Sequence, residues 1–146
     1  MRIRPVTPAD TAEWLRMREL LWPEVPQDHP LEVAAYFAEK RPELATFVID
    51  REGGRLGGFV EASQRAYAEG CATSPVGYVE GWWVDEDLRR QGWGARLIAA
   101  AEGWARQQDL TEMASDCELD NQVSLAAHVA LGYQEVERVI CFRKTL

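Results

Sequence analysis

Cysteine and histidine are scarce in this chain, with three Cys and two His among 146 residues. Cys71, Cys117 and Cys141 are odd in number, widely spread and without paired spacing, so no disulfide framework, zinc ribbon or redox motif is expected and they read as reduced thiols. The imidazoles of His29 and His128 are too few for a histidine-rich metal centre, and no metal is expected. No apolar run approaches the ~20 residues that a membrane helix needs, and the N-terminal stretch lacks the apolar core of a signal peptide. The expectation is therefore a cytoplasmic protein with no membrane partner. Cations are also outnumbered: 16 Lys+Arg stand against 24 Asp+Glu, for a net charge of -8. Nucleic-acid binding depends on clustered cations that displace counterions, so no nucleic-acid partner is expected. An acidic surface suits a cationic partner, and it serves solubility alone equally well.

What is present reads as one unit, residues 1–146, with no linker, repeat or low-complexity stretch. Ile3 to Val6 has strand composition. Thr7-Pro8-Ala9-Asp10 supplies a capping hydroxyl, a proline for the first turn and an acid three residues past the cap, which predicts a helix ending at Trp22-Pro23. Trp14, Met17, Leu20 and Leu21 are its expected inner stripe. A loop follows from Pro23 to Pro30, then a shorter helix over Leu31 to Lys40 that buries Val33, Ala34 and Phe37. Leu44 to Asp50 and Leu56 to Ala62, joined by a glycine-bearing turn, predict an antiparallel hairpin, and Gln64 to Pro75 reads as irregular. Val76 to Val84 predicts a strand, Gly92 to Gln107 a helix with Leu97, Ile98, Ala101 and Trp104 inward, and Glu112 to Asp116 a brief strand. Asn121 to Leu131 completes the helices, and Glu135 to Lys144 is expected to close the sheet as a last strand.

The segment Arg89-x-x-Gly92-x-Gly94 stands between a strand and an amphipathic helix. Backbone N–H groups at a helix start lack intrahelical partners and carry partial positive charge, and glycines keep side chains out of the way. An anion is the expected ligand. The spacing is neither that of the nucleotide P-loop, which ends in Gly-Lys-Ser/Thr, nor the dinucleotide G-x-G-x-x-G pattern, so nucleotide hydrolysis and hydride transfer lose support. A plain basic turn before a helix is the bland alternative.

In that setting the spacing resembles the coenzyme A pyrophosphate loop of the GNAT superfamily of N-acetyltransferases. Further marks run nearly the whole length: Leu20-Leu-Trp22-Pro23, Gly70-Cys71 with Ser74-Pro75, Val79-Glu80-Gly81, Leu97-Ile-Ala-Ala100, Glu112-Met-Ala-Ser-Asp116, Ala130-Leu-Gly-Tyr133 and Glu137-Arg-Val-Ile140. This ordered series is similar to the type I aminoglycoside 6'-N-acetyltransferases. The resemblance implies an α/β (α+β) fold with a mixed, mostly antiparallel, splayed sheet flanked by helices. It also implies acetyl-coenzyme A as cosubstrate, direct transfer in a ternary complex to the 6'-amine of an aminoglycoside, and a homodimer.

By the same resemblance, Trp82, Trp83 and Val84 orient the pantetheine and thioester. Arg90, Gln91, Gly92, Trp93, Gly94 and Ala95 hold the pyrophosphate, and Asn121 reaches the coenzyme from the next crossover. Glu80 and Asp116 are the expected catalytic acids. They also bind the acceptor, together with Trp22, Tyr67 and Glu137, because a polycation needs carboxylates and aromatic walls. Period-two alternation puts Glu80 and Trp82 on one sheet face, and partial burial is expected to raise the Glu80 pKa toward that of a useful base. Surface ion pairs are the alternative reading of both acids, and core packing that of Trp22.

Two departures from the family pattern stand out. Many superfamily members have tyrosine four residues before the glycine that ends the last helix, as acid for the departing thiolate; this chain has His128, either catalyst or packed helix residue. Val25 stands where relatives can offer a polar, substrate-facing group. Three other readings stay open from the residues alone: transfer to another amine such as a polyamine, a protein N-terminus or a small metabolite, a non-catalytic coenzyme A-binding module, and covalent catalysis through Cys117 with His128 as base.

Overall fold

The first strand, β1 (Arg2–Pro5), pairs antiparallel with β2 (Leu44–Asp50), which pairs with β3 (Leu56–Arg65), as the hairpin pattern predicts. The computed structural model describes all 146 residues. β4 (Val76–Val84) continues the antiparallel order, and β5 (Met113–Ser115) joins it in parallel, giving a five-stranded sheet in the order β1-β2-β3-β4-β5. Helices cover both faces, because strands this apolar on both sides need two layers of cover.

On one face lies α3 (Trp93–Gln107), whose Leu97, Ile98 and Ala101 bury against Ile49, Val60, Ala62 and Val79. On the other lie α1 (Thr11–Leu21) and α2 (His29–Glu39), where Trp14, Met17 and Val33 meet Val48, Leu56 and Phe59. The Tyr36 hydroxyl accepts from the Thr46 N–H at 3.0 Å and pins α2 to β2. α4 (Gln122–Ala130) follows β5, with Asn121 as its cap. No helix is long and apolar enough to cross a membrane.

The start of α1 uses the expected residues, with Pro8 in the first turn and Asp10 capping the Thr7 N–H. Thr7 donates its hydroxyl and its N–H to Asp10 Oδ2, each at 2.8 Å, and Pro8–Asp10 forms a short 3-10 turn before the helix. Leu20 is exposed, and the inner place goes to Arg18, whose guanidinium meets Glu61 at 2.7 Å and also pairs with Glu32. In α2 the inner stripe is Val33, Tyr36 and Phe37, while Ala34 faces solvent. The larger aromatic pair at i+3 and i+4 covers more apolar sheet than alanine can. β3 runs on to Arg65, three residues past the expected end at Ala62.

The predicted last strand is not formed: residues 134–146 join no ladder. Val136 rests on Gly70, and beyond it Val139, Ile140 and Phe142 are exposed. Strand composition needs an edge to pair with, and within this chain the segment does not run along the free edge of β5.

Candidate functional site

The glycine loop has the form that its sequence predicts. Arg90 (φ 60°) and Gly92 (φ 82°) both take the left-handed conformation, which turns the chain sharply into α3. The N–H groups from Arg90 to Ala95 donate to no backbone or side-chain acceptor, and the first return bond is Arg96 N–H to Gly92 O. A run of unpaired donors at the positive end of a fifteen-residue helix fits a diphosphate. Gly94 is needed for a second reason: a Cβ there would stand 2.8 Å from Cζ2 of Trp82. The loop is braced from outside, since Gln91 donates to Asp87 O at 2.7 Å and Arg89 to Val84 O at 2.9 Å.

β5 pairs with β4 only from Gly77 to Val79, so from Glu80 to Val84 that edge of β4 has no ladder partner. This is the splay, and it opens beside the glycine loop. Between Glu61 and Ala62 of β3 the register shifts, pairing Val79 and Gly81 with consecutive residues, so that Glu80 is the extra residue of a bulge. The bulge overturns the alternation argument. Glu80 faces Ser63 and Arg65, whereas Trp82 packs on the opposite side, against Gly94 and edge-on to His128. An added residue in one strand reverses the facing of everything after it.

On the α1 side of the sheet the two candidate acids are linked. Arg65 forks onto Glu80 through Nε at 2.8 Å and Nη2 at 2.6 Å, and the Ser63 hydroxyl donates to the same carboxylate at 2.5 Å. The Arg65 guanidinium stands over the Tyr78 ring, 3.5 Å from its centroid, and the Tyr78 hydroxyl donates to Asp116. Burial works to raise the Glu80 carboxyl, but the bonds from Arg65 and Ser63 outweigh it and hold Glu80 below its usual value, against the rise expected from burial alone. Burial first, and then Asp116, push the Tyr78 phenol up, so it stays protonated and a donor. A cleft of about 230 Å³ adjoins Glu80, walled by Trp14, Tyr36 and the acids Glu32, Glu39 and Glu61. Burial raises the Glu61 carboxyl even with Arg18 beside it.

The Trp22 ring lies over Gly81, where a Cβ would stand 2.3 Å from Cη2, and Arg18 approaches its face at 5.0 Å. It is thus both half-buried packing and a wall beside the bulge. Tyr67 is exposed on the loop after β3, and Glu137 lies on the exposed C-terminal segment; neither is hydrogen-bonded to the Glu80 cluster. Trp83 and Trp93 turn their rings into the two cores, which leaves them backbone groups to offer a ligand. Asn121 spends Oδ1 on the Ser124 N–H at 3.0 Å.

The sequence reasoning missed Ser63, Arg65, Tyr78 and Ser115. Tyr78 was findable, two residues before Glu80 on one strand, whereas no local pattern marks Arg65. His128 lies between Ser115 and Ser124. Its Nδ1 is 2.7 Å from the Ser124 carbonyl, which can only accept, so Nδ1 carries a proton, and Nε2 is 2.7 Å from the Ser115 hydroxyl, which can donate or accept. No cluster of three or more His, Cys, Asp or Glu side chains is gathered that could hold a metal.

The profile of the Acetyltransferase (GNAT) family matches residues 14–133. An aminoglycoside N(6')-acetyltransferase type 1 of Klebsiella aerogenes is 46% identical over 99% of this chain and 96% of its own length, and one of Serratia marcescens is 43% identical over 91% of each. The solved structure of AAC(6')-Iy in complex with the bisubstrate analogue CoA-S-monomethyl-acetylneamine superposes with a TM-score of 0.91 at 36% identity, covering 99% of this chain and 98% of that one. The aminoglycoside 6'-N-acetyltransferase AAC(6')-IG of Acinetobacter haemolyticus, without ligand, gives 0.90 at 39% identity over 100% and 99%.

Proposed function

The chain belongs to the acetyltransferase (GNAT) family, among the aminoglycoside N(6')-acetyltransferases of type 1, and from that premise we propose that it acetylates the 6'-amine of aminoglycosides, using acetyl-coenzyme A in a ternary complex. The observation that carries the reading is the row of unpaired N–H donors from Arg90 to Ala95, set beside a β4 edge that opens toward two carboxylates. Acetyl-coenzyme A, when bound, supplies an activated acetyl thioester. Residues 90–95 take its diphosphate, and the free edge of β4 between Trp82 and Val84 orients the thioester and offers an N–H to its oxygen. Such a fixed donor is worth ~2.7–4 kcal/mol toward a transition state. In this reading Asn121, the cap of α4, reaches the same coenzyme.

Glu80 and Asp116 hold the acceptor ammonium and take its proton, directly or through a water, so that the neutral amine attacks the thioester carbon. Trp22, Tyr67 and Glu137 complete the acceptor's surroundings. The acid-walled cleft beside Glu80 supports a polycationic acceptor. All 146 residues act as one catalytic domain, since a single sheet carries both the loop and the acids. Free Cys71, Cys117 and Cys141 support a reducing, cytoplasmic setting. The exposed Ile140 and Phe142 of the C-terminal segment, together with the unpaired edge of the short strand β5, support pairing with a second copy.

The test is thiol release from acetyl-coenzyme A with a panel of aminoglycosides that have or lack a free 6'-amine, followed by product mass. Release and a single added acetyl group only with the 6'-amines is the expected result. Acetylation of compounds lacking that amine overturns the regiochemistry, and release no faster than with spermidine overturns the acceptor class.

A further inference from the structure

Glu80 and Asp116 sit on one side of the sheet with a cation already beside them. Arg65, the last residue of β3, gives both arms of its guanidinium to Glu80 at 2.8 and 2.6 Å. Its Cζ is 3.5 Å from the centroid of Tyr78, whose hydroxyl donates to Asp116. The guanidinium therefore occupies the neighbourhood in which two carboxylates would receive an acceptor ammonium. Its own ties are few: Glu80 is its only hydrogen-bond partner, and its side chain is 43% exposed at the edge of a loop. Glu80, by contrast, keeps a second anchor in the Ser63 hydroxyl, so its carboxylate stays aimed if the arginine leaves.

We propose that Arg65 is a resident counterion of the acceptor site, which a polycationic acceptor displaces from Glu80 when it binds. This rests on the reading of Glu80 and Asp116 as the acceptor's acids. The consequence is specificity. Exchanging one cation for another at Glu80 is nearly neutral in charge, so a monoamine gains little from it. A polyamine gains at the remaining acids, Asp116 and, across the cleft, Glu39. Arg65 thus sets a threshold that favours acceptors with several ammonium groups, and it spares the empty site two uncompensated carboxylates.

The groups facing Glu80 are Arg65 and Ser63 on β3, Tyr78 on β4, Asp116 after β5 and, around the cleft, the Arg18–Glu61 pair with Glu32, Glu39 and Arg41. Arg65 is the one that gives Glu80 both a charge and two hydrogen bonds. Its removal should move the acid limb of the kcat/KM profile to higher pH, because Glu80 loses the partner that keeps it ionised.

The experiment measures binding of tobramycin, and of the monoamine 6-amino-6-deoxyglucose, by calorimetry to the wild-type chain, Arg65→Ala and Arg65→Lys, with kcat/KM against pH. An exposed ion pair is worth up to ~1 kcal/mol, so Arg65→Ala should bind tobramycin about three- to fivefold more tightly and discriminate less against the monoamine. Arg65→Lys should lie between the two. If wild type binds tobramycin but Arg65→Ala binds it equally or more weakly, Arg65 is a structural prop and the inference is wrong. If wild type binds no aminoglycoside, both this inference and the functional reading fall.

Discussion

Gly94 and Trp82 are in contact across the start of α3: a Cβ on residue 94 would stand 2.8 Å from Cζ2 of the indole and 3.4 Å from its Nε1. That Nε1 is buried and has no hydrogen-bond partner. Trp82 cannot swing aside cheaply, because His128 also meets it edge-on, with ring centroids 5.5 Å apart. Gly94→Ala should therefore push the helix start outward, moving the unpaired N–H donors off their common target. Acetyl-coenzyme A affinity should fall by about tenfold or more, ~1.4 kcal/mol. Gly92→Ala meets no neighbour and pays only for its left-handed φ, about 1–2 kcal/mol of stability. Calorimetry with acetyl-coenzyme A and thermal melting of both variants separate the two effects. A larger loss of affinity in Gly92→Ala than in Gly94→Ala would contradict the assignment.

The contrast between these glycines shows what sequence carries. The spacing of Arg89, Gly92 and Gly94 between a strand and an amphipathic helix was enough to place a sharp turn with free N–H groups at a helix start, since an αL turn and a close approach each need glycine. Strand β4 came out with both ends correct. The bulge at Glu80 did not, because Val-Glu-Gly-Trp-Trp alternates as plausibly without an extra residue as with one, and only the partner strand decides. Arg65 was invisible for a related reason: its meaning lies in Tyr78, Glu80 and Asp116, thirteen residues and more away. Leu20 and Ala34 were assigned to the core by periodicity alone, which does not see that buried acceptors on Glu61 invite Arg18 inward. The family of the chain was legible across its length, whereas the pairing inside its site was not.

Asp10 offers a stability test that is independent of catalysis. Arg4 forks onto it at 2.7 and 2.9 Å, and Thr7 adds its N–H and hydroxyl, each at 2.8 Å. These bonds, Arg4 first, lower the carboxyl from an ordinary 3.8 to about 2. A carboxyl so depressed contributes about 2 kcal/mol of folding stability. The contribution is complete above the unfolded value and is lost as pH falls through the folded one. Asp10→Asn should thus be less stable by about 2 kcal/mol in urea at pH 7, with the gap narrowing from pH 4 toward pH 2. A gap that stays constant with pH would assign the loss to packing instead.

His128 holds the position where a tyrosine acid stands in many superfamily members, yet both of its ring nitrogens are engaged, Nδ1 by the Ser124 carbonyl and Nε2 by the Ser115 hydroxyl. With Nδ1 tied to a backbone carbonyl and Nε2 to a hydroxyl, the ring is held as packing between α4 and β5. His128→Phe should keep the edge contacts with Trp82 and Tyr133 and lose the two hydrogen bonds. Stability should drop by about 1–3 kcal/mol from the stranded Ser115 hydroxyl, with kcat changed by less than tenfold, while the Ser124 carbonyl keeps its helical bond to the residue 128 N–H. Removing a true general acid costs about 10²–10⁴ in rate. A loss of that size in single-turnover kinetics would restore His128 to the chemistry.

The last prediction concerns the exposed C-terminal segment. Val136, Val139, Ile140 and Phe142 are 61%, 53%, 76% and 91% exposed, and Leu146 ends the chain in solvent. Burying such a row against a second copy removes apolar surface at about 25 cal/mol per Å², and β5 provides an unpaired edge for backbone bonds. The wild-type chain should sediment at twice its 16.5 kDa mass at micromolar concentration. Ile140→Asp with Phe142→Asp should sediment at 16.5 kDa, since each carboxylate would have to be desolvated in the interface. Glu137 lies in the same segment and makes no hydrogen bond to the Glu80 cluster of its own chain, so the monomeric variant should also bind aminoglycoside more weakly while retaining acetyl-coenzyme A affinity. Equal sedimentation of wild type and variant would remove the segment from any role in assembly, and an unchanged aminoglycoside affinity in a monomer would remove Glu137 from the acceptor site.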